Sequence, residues 1–458
     1  MRYVKGLGAA AALLAVCAAV GQEPIAPMME SRSGHVLAEV PGGLLAAGGF
    51  DGGVVTASCE RYEVATGAWS AAASLPGPRR GATAHAVGGA VFLVGGEDGS
   101  GGLPTAVLRY APEADVWEVV AELGTGRTGH ASAVLPSGKV LVCGGYDGAV
   151  DLASCETFDP QTYEVAPAAS LATGRSSFVL LGVEGNAWQG LLAVGGFNPA
   201  AGFQIASTER FDPVEDVWTT DADLPTAVDN LAGGSLYGRP IVTGGRVYDP
   251  VANAFAGTAT GAIYDYPLAQ WVPFDLVGRH SYHAMAVRIN AWWFEAVVCG
   301  GADATGVGVA PTYSPSEHLL LGLNTPPDIF DSALLAPDVA ECAGRYLPAY
   351  ARSGAFGYFT GGDPELVGTG WRIDLTDIGS AGTVPAATAD LFVFPNPAHG
   401  RVALVGLRDA AAGWDVLASD GRVLASGRGP ALNTAGLPAG LLLVRETATG
   451  RIARLLVR

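Results

Sequence analysis

Histidine and arginine recur together along the chain, and these are side chains suited to holding a metal ion or an anion. The pairs are His35 with Arg32, His85 with Arg80, His130 with Arg127 and His283 with Arg279. A functional site normally breaks the symmetry of a repeat, whereas these pairs recur at equivalent positions. The repetition therefore favours structural residues over a site. Their expected partners are backbone groups or three recurring acids, Glu60, Glu156 and Glu209.

Other residue patterns give weak support for chemistry. His280 and His283 form the one local pair of histidines, and no cysteine or glutamate stands beside them at zinc-motif spacing. The sequence contains no phosphate-binding glycine loop, nucleophile elbow or zinc-protease helix. Asp-Gly pairs at 51, 98 and 147 could offer ligands to calcium, but turn formation alone explains them. No cofactor is predicted, and calcium and copper stay open.

Five cysteines remain after residue 21, an odd number. Cys143 ends one predicted strand and Cys155 begins the next, so the two could face each other across a hairpin. Ala47 and Cys59 occupy the same positions in the first repeat, so a disulfide is not part of the repeat itself. Export permits disulfides, and a large core does not require them. The sequence leaves this pairing open.

An apolar run that ends in two glycines recurs seven times, at intervals of 47 to 61 residues. The doublets are Gly48 and Gly49, Gly95 and Gly96, Gly144 and Gly145, Gly195 and Gly196, Gly244 and Gly245, Gly300 and Gly301, and Gly361 and Gly362. Glycine accepts positive φ and lets a neighbouring chain approach its backbone. A period near 50 residues indicates a radial or stacked array of repeats.

A second mark follows most doublets: an aromatic residue with a tryptophan seven positions later. The pairs are Tyr62 with Trp69, Tyr110 with Trp117, Phe211 with Trp218 and Tyr264 with Trp271. Phe158 has Val165 at this offset, and Tyr248 with Phe255 imitates the spacing, so one pair of the fifth repeat is an insertion. The short β-type runs around these marks predict four antiparallel strands per repeat. Such sheets need neighbours to cover both faces.

These marks resemble kelch repeats over about residues 22–375. The resemblance implies an all-β fold, a kelch-type β-propeller, with seven blades favoured and six blades with a decorated insertion as the alternative. Residues 22–28 occupy the register of a fourth strand, which predicts that they complete the last blade and close the ring. The family also includes copper-radical oxidases resembling galactose oxidase, which need a cysteine beside a tyrosine. Cys59 lies near Tyr62, but its repeat equivalent Cys155 favours a packing role.

The N-terminus and the charge distribution point to an exported protein. Residues 1–21 have a basic start, an apolar stretch and a small-residue exit, which predicts a secretory signal peptide. The formal net charge is −18, and the excess acid lies between the two ends of the chain. Such a surface disfavours nucleic acid and anionic membranes as partners. After residue 21, no apolar stretch is long enough for a transmembrane segment. Residues 376–390 predict a linker.

Residues 391–458 carry a set of motifs in a fixed order: a Pro-Asn-Pro opening, an Asp-Gly hairpin turn and a glycine before the last apolar runs. The residues are Pro395, Asn396, Pro397, Gly400, Asp420, Gly421 and Gly440. The set resembles the C-terminal type A sorting domain of the type IX secretion system, although Leu442 stands where that family often has an aromatic. The resemblance implies a small Ig-like β-sandwich, recognition by the type IX secretion machinery, and export across both membranes to the medium or the cell surface.

Two hypotheses of function follow. The first is a secreted or surface-displayed, monomeric binding protein that recognises a glycan or a protein through loops on one face of the ring. The alternative is an extracellular carbohydrate-active enzyme, galactose-oxidase-like or sialic-acid-processing, with an asymmetric site near the channel mouth in blades five to seven. Binding is favoured because the sequence shows no reactive constellation.

Overall fold

The computed structural model describes residues 22–280, apart from 186–187, 237–238, 250–253 and 266–267, and a series of strands beyond residue 280. The predicted signal peptide, the predicted linker and the doublets at 300–301 and 361–362 lie outside the described residues. In the described part the regular elements are β-strands, with one short 3-10 turn. That part contains no helix long and apolar enough to cross a membrane. The fold is all-β, as predicted.

Five blades follow β1 (Gln22–Ile25), each a sheet whose principal strands pair antiparallel in chain order. Blade 1 contains β2 (Val36–Val40), β3 (Gly43–Ala47), β4 (Cys59–Glu63) and β5 (Ala68–Ala72); blade 2 contains β6 (Thr83–Val87), β7 (Ala90–Val94), β8 (Ala106–Ala111) and β9 (Val116–Glu122); blade 3 contains β10 (Ala131–Val134), β11 (Val140–Cys143), β12 (Cys155–Phe158) and β13 (Val165–Ala168).

Blades 4 and 5 carry additional hairpins between their second and third principal strands. Blade 4 contains β14 (Val179–Gly185), β15 (Trp188–Val194), the hairpin of β16 (Phe197–Asn198), the 3-10 turn η1 (Pro199–Ala201) and β17 (Phe203–Gln204), then β18 (Thr208–Asp212) and β19 (Val217–Asp221); blade 5 contains β20 (Ala232–Leu236), β21 (Arg239–Thr243), β22 (Arg246–Asp249), β23 (Ala254–Asp265) and β24 (Gln270–His280). The first strands of neighbouring blades contact one another, so they line the centre of the ring.

Two more four-stranded sheets follow blade 5. The first contains β25 (Ala284–Ile289), β26 (Phe294–Cys299), β27 (Glu317–Leu321) and β28 (Ser332–Pro337); the second contains β29 (Ala349–Ser353), β30 (Phe356–Thr360) and β31 (Gly370–Asp374), with β1 as its fourth strand. Gln22 lies opposite Ile373, and Ile25 lies opposite Gly370. The N-terminal strand therefore completes the last sheet, as its register predicts, and β2 contacts β29 to close the circle.

The described residues of the C-terminal region form seven strands in two sheets. They are β32 (Phe392–Phe394), β33 (Arg401–Val405), β34 (Gly413–Leu417), β35 (Val423–Arg428), β36 (Ala431–Asn433), β37 (Gly440–Glu446) and β38 (Ile452–Val457). One sheet has the order β32-β33-β36 and the other β35-β34-β37-β38. Gly440 begins β37, and the other six residues of the proposed sorting motif lie outside the described residues.

The paired aromatics lie directly opposite each other on the third and fourth principal strands of their blades. Tyr62 faces Trp69 and Phe211 faces Trp218, with ring centroids 5.2 and 4.9 Å apart. In blade 5 the equivalent pair is Tyr264 and Trp271. Strand β22, which contains Tyr248, pairs with the early part of β23 in an added hairpin. The structure thus identifies the Tyr248–Phe255 pair as the insertion.

The hydrophobic core is divided among the seams between blades. One cluster joins Leu45 and Cys59 of blade 1 to Leu93 and Tyr110 of blade 2, and further clusters fill the next three seams. A fifth joins β1 and β29 to blade 1. Each sheet therefore buries its apolar faces against the neighbouring sheets, and this burial requires the sheets to pack side by side.

The tryptophans add a polar contact to four of these seams. Trp271 donates its indole N–H to the Thr208 hydroxyl of blade 4 at 3.1 Å, and the other three donate to the carbonyl that follows the last strand of the preceding blade. The bonds are Trp69 to Ala26 at 2.9 Å, Trp117 to Ala73 at 3.0 Å and Trp218 to Ala169 at 3.0 Å. Blade 3 has Val165 here and lacks this bond. An indole N–H in such a seam needs a hydrogen-bond partner, so each of these bonds fixes the position of the indole against the preceding blade.

The glycine doublets are positions where the next linker crosses the end of the second strand. Gly48 and Gly49 have φ of 66° and 101°, values that residues with a Cβ rarely adopt. A Cβ on Gly48 would lie 2.3 Å from the carbonyl oxygen of Arg79, and the N–H of Gly49 donates to that oxygen at 2.7 Å. Doublets 2 to 4 repeat this geometry against the carbonyls of Arg127, Arg175 and Val228.

In blades 1, 3 and 4 a buried arginine and a buried glutamate fix the incoming linker to its blade. Arg127 donates to the carbonyls of Gly144 and Ser154, at 2.8 and 2.9 Å, and to the Glu156 carboxylate at 2.6 Å. The second oxygen of Glu156 accepts the N–H of Gly124 at 2.6 Å. Arg32 with Glu60 and Arg175 with Glu209 form the same arrangement, which we call the linker anchor.

In blade 2 the anchor arginine is Arg79, whereas the sequence analysis grouped Arg80 with the recurring arginines. Arg80 is exposed and pairs with Glu97. Arg79 lacks a carboxylate partner of the anchor type because Leu108 stands at the glutamate position, and Pro76 replaces the residue whose N–H that glutamate would accept. Proline has no N–H, so donor and acceptor are lost together. Burial lowers the pKa of Arg79.

Blade 5 loses all three members of the anchor at once. Pro225 occupies the donor position, Val228 the arginine position and Ala262 the glutamate position. Val228 and Ala262 are buried in one hydrophobic cluster. A charge left alone in such a seam is costly, and blade 5 avoids that cost by replacing the whole anchor with apolar side chains. Blade 2 keeps the buried Arg79 without a glutamate, and its guanidinium donates to the carbonyls of Gly95 and Ala106.

We predict that Arg127→Val lowers the free energy of unfolding by about 3–5 kcal/mol, because it leaves the Glu156 carboxylate in the seam without its cation. Adding Glu156→Ala, which copies blade 5, should recover part of the loss. Arg109→Ala is the control, since Arg109 forms an exposed pair with Glu118 and should cost less than about 1 kcal/mol. Denaturant unfolding measures all three. Equal losses for Arg127→Val and the control would contradict the prediction.

Candidate binding face of the propeller

One end of the ring, which we call the loop face, carries the loops that follow the glycine doublets and the linkers between blades. The residue after each doublet forms an antiparallel bridge with a linker residue, through backbone hydrogen bonds of 2.7 to 3.2 Å. The bridges are Phe50 with Ser33, Glu97 with Arg80, Tyr146 with Thr128, Phe197 with Ser176, and Arg246 with Asp229. We call Phe50, Glu97, Tyr146, Phe197 and Arg246 the rim residues.

The rim has a constant backbone and varied side chains. Three rim side chains are aromatic, one is acidic and one is basic. Tyr146 is the most exposed of the aromatic ones, at 40%. The rim residues share no residue type, so their position directly after each doublet is the one signal in the sequence that marks them as a set.

Blades 4 and 5 build an aromatic cluster at this end from their additional hairpins. Phe197 lies 6.1 Å from Phe203, and Phe203 lies 5.1 Å from Tyr248, which lies 5.3 Å from Phe255. Phe203 is 40% exposed and has φ of 81°, a left-handed conformation that strains a residue with a side chain. Strained, exposed residues of this kind concentrate at functional surfaces.

Arg246 stiffens the aromatic cluster from within. It lies with its guanidinium carbon 4.1 Å from the centre of the Phe255 ring and 5.8 Å from that of Phe197. Its Nε donates to the fully buried Asp229 at 2.9 Å. The guanidinium of Arg246 is therefore paired with a carboxylate and packed against two aromatic rings, so Arg246 positions the cluster.

The aspartates of the Asp-Gly turns at 51, 98 and 147 also lie on the loop face. Each uses Oδ1 to accept backbone N–H groups of its own loop, at 2.8 to 2.9 Å. For Asp51 these donors are Val54 and Gly53, and they lower the pKa of its carboxyl. Asp98 and Asp147 have lowered pKa values for the same reason. The three carboxylates are ionised at physiological pH and shape their turns.

The histidines of the first strands lie at the centre of the ring and join blades by hydrogen bonds to hydroxyl groups. The bonds are His35 Nε2 to Thr360 at 2.9 Å, His130 Nε2 to Thr83 at 2.9 Å and His85 Nε2 to Ser132 at 2.7 Å. Ser132 in turn donates to Thr83 at 2.6 Å. These three histidines thus form structural contacts at the seams, but their partners are hydroxyl groups and not the backbone groups or acids that the sequence predicts; His283 lies outside the described residues.

Burial holds these imidazoles in the neutral form. Burial, followed by the charge of Arg32, lowers the pKa of His35 to about 3. Burial and the charge of Arg127 lower the pKa of His130 to about 3, and burial alone lowers that of His85 to about 4. A neutral imidazole with one nitrogen bonded to a hydroxyl is a structural connector, and nothing in this geometry orients it for proton transfer.

The remaining candidates for redox and metal chemistry are also placed by the structure. Cys59 and Tyr62 lie in different hydrophobic clusters on opposite sides of blade 1, so they are not arranged for a crosslink. Cys143 and Cys155 are directly opposed on β11 and β12 and form a disulfide. Within the described residues, no group of three histidine, cysteine, aspartate or glutamate side chains could hold a metal ion.

Comparison with known proteins agrees with this architecture. The Kelch motif matches residues 31–76, 78–124 and 127–172, which correspond to the first three repeats. The solved structure of YjhT superposes with a TM-score of 0.50 at 16% identity, over 65% of this chain and 97% of that one, a likeness of fold. The repeats and the fold define a kelch-repeat β-propeller protein.

Curated relatives share parts of this chain. Kelch-like protein 34 of Homo sapiens is 37% identical over 140 residues, 29% of this chain and 21% of that protein. Kelch-like protein 25 of Xenopus tropicalis is 27% identical over 224 residues, 47% of this chain and 36% of that protein. Alpha-scruin of Limulus polyphemus is 27% identical over 218 residues, 45% of this chain and 23% of that protein. The chain thus spans about a third or less of each.

The central histidines should make the free energy of unfolding of the propeller fall at acid pH. Because the folded pKa values of His35 and His130 lie near 3, below the ordinary 6.5, the unfolded chain binds more protons as the pH falls. The free energy of unfolding should be level above pH 7 and should fall by about 2 kcal/mol for each of these histidines between pH 7 and pH 5.

Denaturant unfolding at a series of pH values measures this effect. His130→Asn removes one of the titrating groups and should make the decline shallower, even though it also lowers stability at pH 7. An identical slope for the wild-type chain and the variant would exclude His130 as a source of the acid sensitivity.

Proposed function

We propose that this protein is an interaction protein that binds a glycan or a protein on the loop face of its propeller. The observation that carries the proposal is the rim: five blades hold the residue after the doublet in the same bridge, and they place different side chains there. A rigid ring that presents variable loops is a common arrangement for recognition, because the loops can change without loss of the scaffold. The exposed aromatic rings of Tyr146 and Phe203 supply large contact areas of the kind that dominate interfaces.

Binding should therefore depend on exposed loop-face aromatics and not on exposed residues at the opposite end. A glycan microarray and an array of extracellular proteins identify a ligand for the wild-type protein. Tyr146→Ala and Phe203→Ala should each weaken that binding about tenfold or more, which is the scale of an interface hot spot. Val214→Ala is the matched control, because Val214 is 87% exposed in a turn at the opposite end.

A ligand that both aromatic variants bind as tightly as the wild type, and that Val214→Ala weakens, would move the binding site away from the loop face. Thermal melting of each variant checks that the ring is intact. If Tyr146→Ala loses its fold as well as its binding, Tyr146→Phe is the variant to measure. It keeps the aromatic ring of the side chain and should retain affinity.

We also propose that the ring has seven blades and that the protein is exported. The two four-stranded sheets after blade 5 support the blade count. The N-terminal signal pattern and the motif order of residues 391–458 support export by the type IX secretion system, with residues 391–458 as the sorting domain. The two C-terminal sheets are consistent with the small sandwich that this role requires.

Fractionation of cells that express the full chain, or a chain ending at residue 390, tests the export proposal. The full chain should reach the medium or the cell surface, whereas the shorter chain should accumulate in the periplasm. Recovery of both chains in the same compartment would remove the sorting assignment.

A further inference from the structure

The loops of blades 1 to 3 form a continuous surface. A Cβ on Gly99, in the loop of blade 2, would lie 2.6 Å from a methyl group of Val55 in the loop of blade 1. The loop of blade 3 approaches that of blade 2 in turn, with the corresponding position on Gly148 3.9 Å from Leu103. A ligand that crosses this part of the loop face therefore meets three loops without a gap between neighbours.

This surface displays aliphatic side chains in rigid turns. Val54 is 62% exposed and Val150 is 58% exposed, at equivalent positions of blades 1 and 3. The N–H of each valine is bonded to the turn aspartate, and the carbonyl of each accepts the N–H of that aspartate. The backbone is thus satisfied within the loop. The side chains of the two valines and of Tyr146, which is 40% exposed, are therefore exposed to solvent.

The charge beside these apolar groups is negative. Asp51, Asp98 and Asp147 are ionised, and in the described residues their Oδ2 atoms accept no hydrogen bond. Arg80 is an exposed cation nearby, and it pairs with Glu97 and lies over the Phe50 ring at 5.5 Å. The charges of Arg32 and Arg127 also act on Asp51 and Asp147, but both arginines are buried in linker anchors. We call Asp51, Val54, Asp98, Tyr146, Asp147 and Val150 the blade 1–3 patch.

We propose that the blade 1–3 patch docks a cationic segment of a partner protein, one in which lysine or arginine residues alternate with aliphatic ones. The inference rests on the proposed loop-face binding and specifies its partner. The turns of blades 1 and 3 each present a carboxylate and an exposed valine, and the turn of blade 2 between them presents a carboxylate. A segment that carries both cationic and aliphatic side chains can therefore pair its charges and bury its apolar side chains together. Nucleic acids and anionic membranes are repelled by the same carboxylates.

The test uses the full chain and a fluorescein-labelled peptide of repeated Lys-Val-Ser units, with a Glu-Val-Ser peptide as the matched probe. Fluorescence anisotropy should show binding of the lysine peptide, weakening as salt is added, and no binding of the glutamate peptide. The triple variant Asp51→Asn/Asp98→Asn/Asp147→Asn should bind the lysine peptide about tenfold more weakly. Asparagine keeps the oxygen that accepts the loop N–H groups, so the turns should survive.

The control variant removes the same number of charges from turns at the opposite end of the ring: Glu113→Gln/Asp159→Asn/Asp212→Asn. Asp159 and Asp212 accept loop N–H groups just as the patch aspartates do, at 2.8 Å for the shortest bond of each. Affinity should change less than twofold, because these residues lie away from the patch. Val54→Ser/Val150→Ser should also weaken binding, whereas Val214→Ser should not.

Several results would overturn the inference. Equal loss in the patch and control variants would show attraction by net charge alone. No binding of the lysine peptide would exclude the cationic class. A ligand that Tyr146→Ala weakens and the triple asparagine variant leaves unchanged, such as a neutral glycan, would also overturn it, while loop-face binding as such would stand.

Discussion

The structure depends on buried arginine–glutamate pairs that join linkers to blades. In blades 1, 3 and 4 an arginine without solvent exposure holds the incoming linker to the carbonyl after the second strand and to a glutamate of the third. The glutamate holds the linker's own N–H. Charges in a seam of low dielectric must be paired and fully hydrogen-bonded. Each linker therefore has one position, and each blade is set relative to the last.

Blades 2 and 5 depart from this arrangement in different ways. Pro76 removes the N–H in blade 2, and the glutamate position there is Leu108; Pro225 removes it in blade 5, where Val228 and Ala262 make the seam apolar. The doublet glycines remain in both blades: a Cβ on Gly95 would lie 2.7 Å from the carbonyl oxygen of Arg127, and a Cβ on Gly245 would lie 2.8 Å from the Cβ of Val228. Backbone clearance is thus shared by the five described blades, whereas the anchor is complete in three of them, reduced to its arginine in blade 2 and apolar in blade 5.

This division between scaffold and surface explains where recognition can reside. The central histidines, the anchors and the tryptophans are all occupied in holding blades together, and burial keeps the histidines neutral. The rim positions repeat in backbone and differ in side chain, since nothing in the seam constrains what they present to solvent. The loop face is therefore where the chain can vary its chemistry without altering the ring.

The sequence by itself determined the repeat, the strand pattern, the register of residues 22–28 and the structural nature of the histidines and arginines, because glycine clearance and aromatic pairing act at fixed local spacing. Tertiary structure decided what depends on neighbours from distant parts of the chain. It showed that Arg79 and not Arg80 enters the seam, that Tyr248 and Phe255 belong to the added hairpin, and that Cys143 meets Cys155. It also brought the loops of blades 1 to 3 together into one surface, a contact that the packing of neighbouring blades creates and that spacing along the chain does not encode.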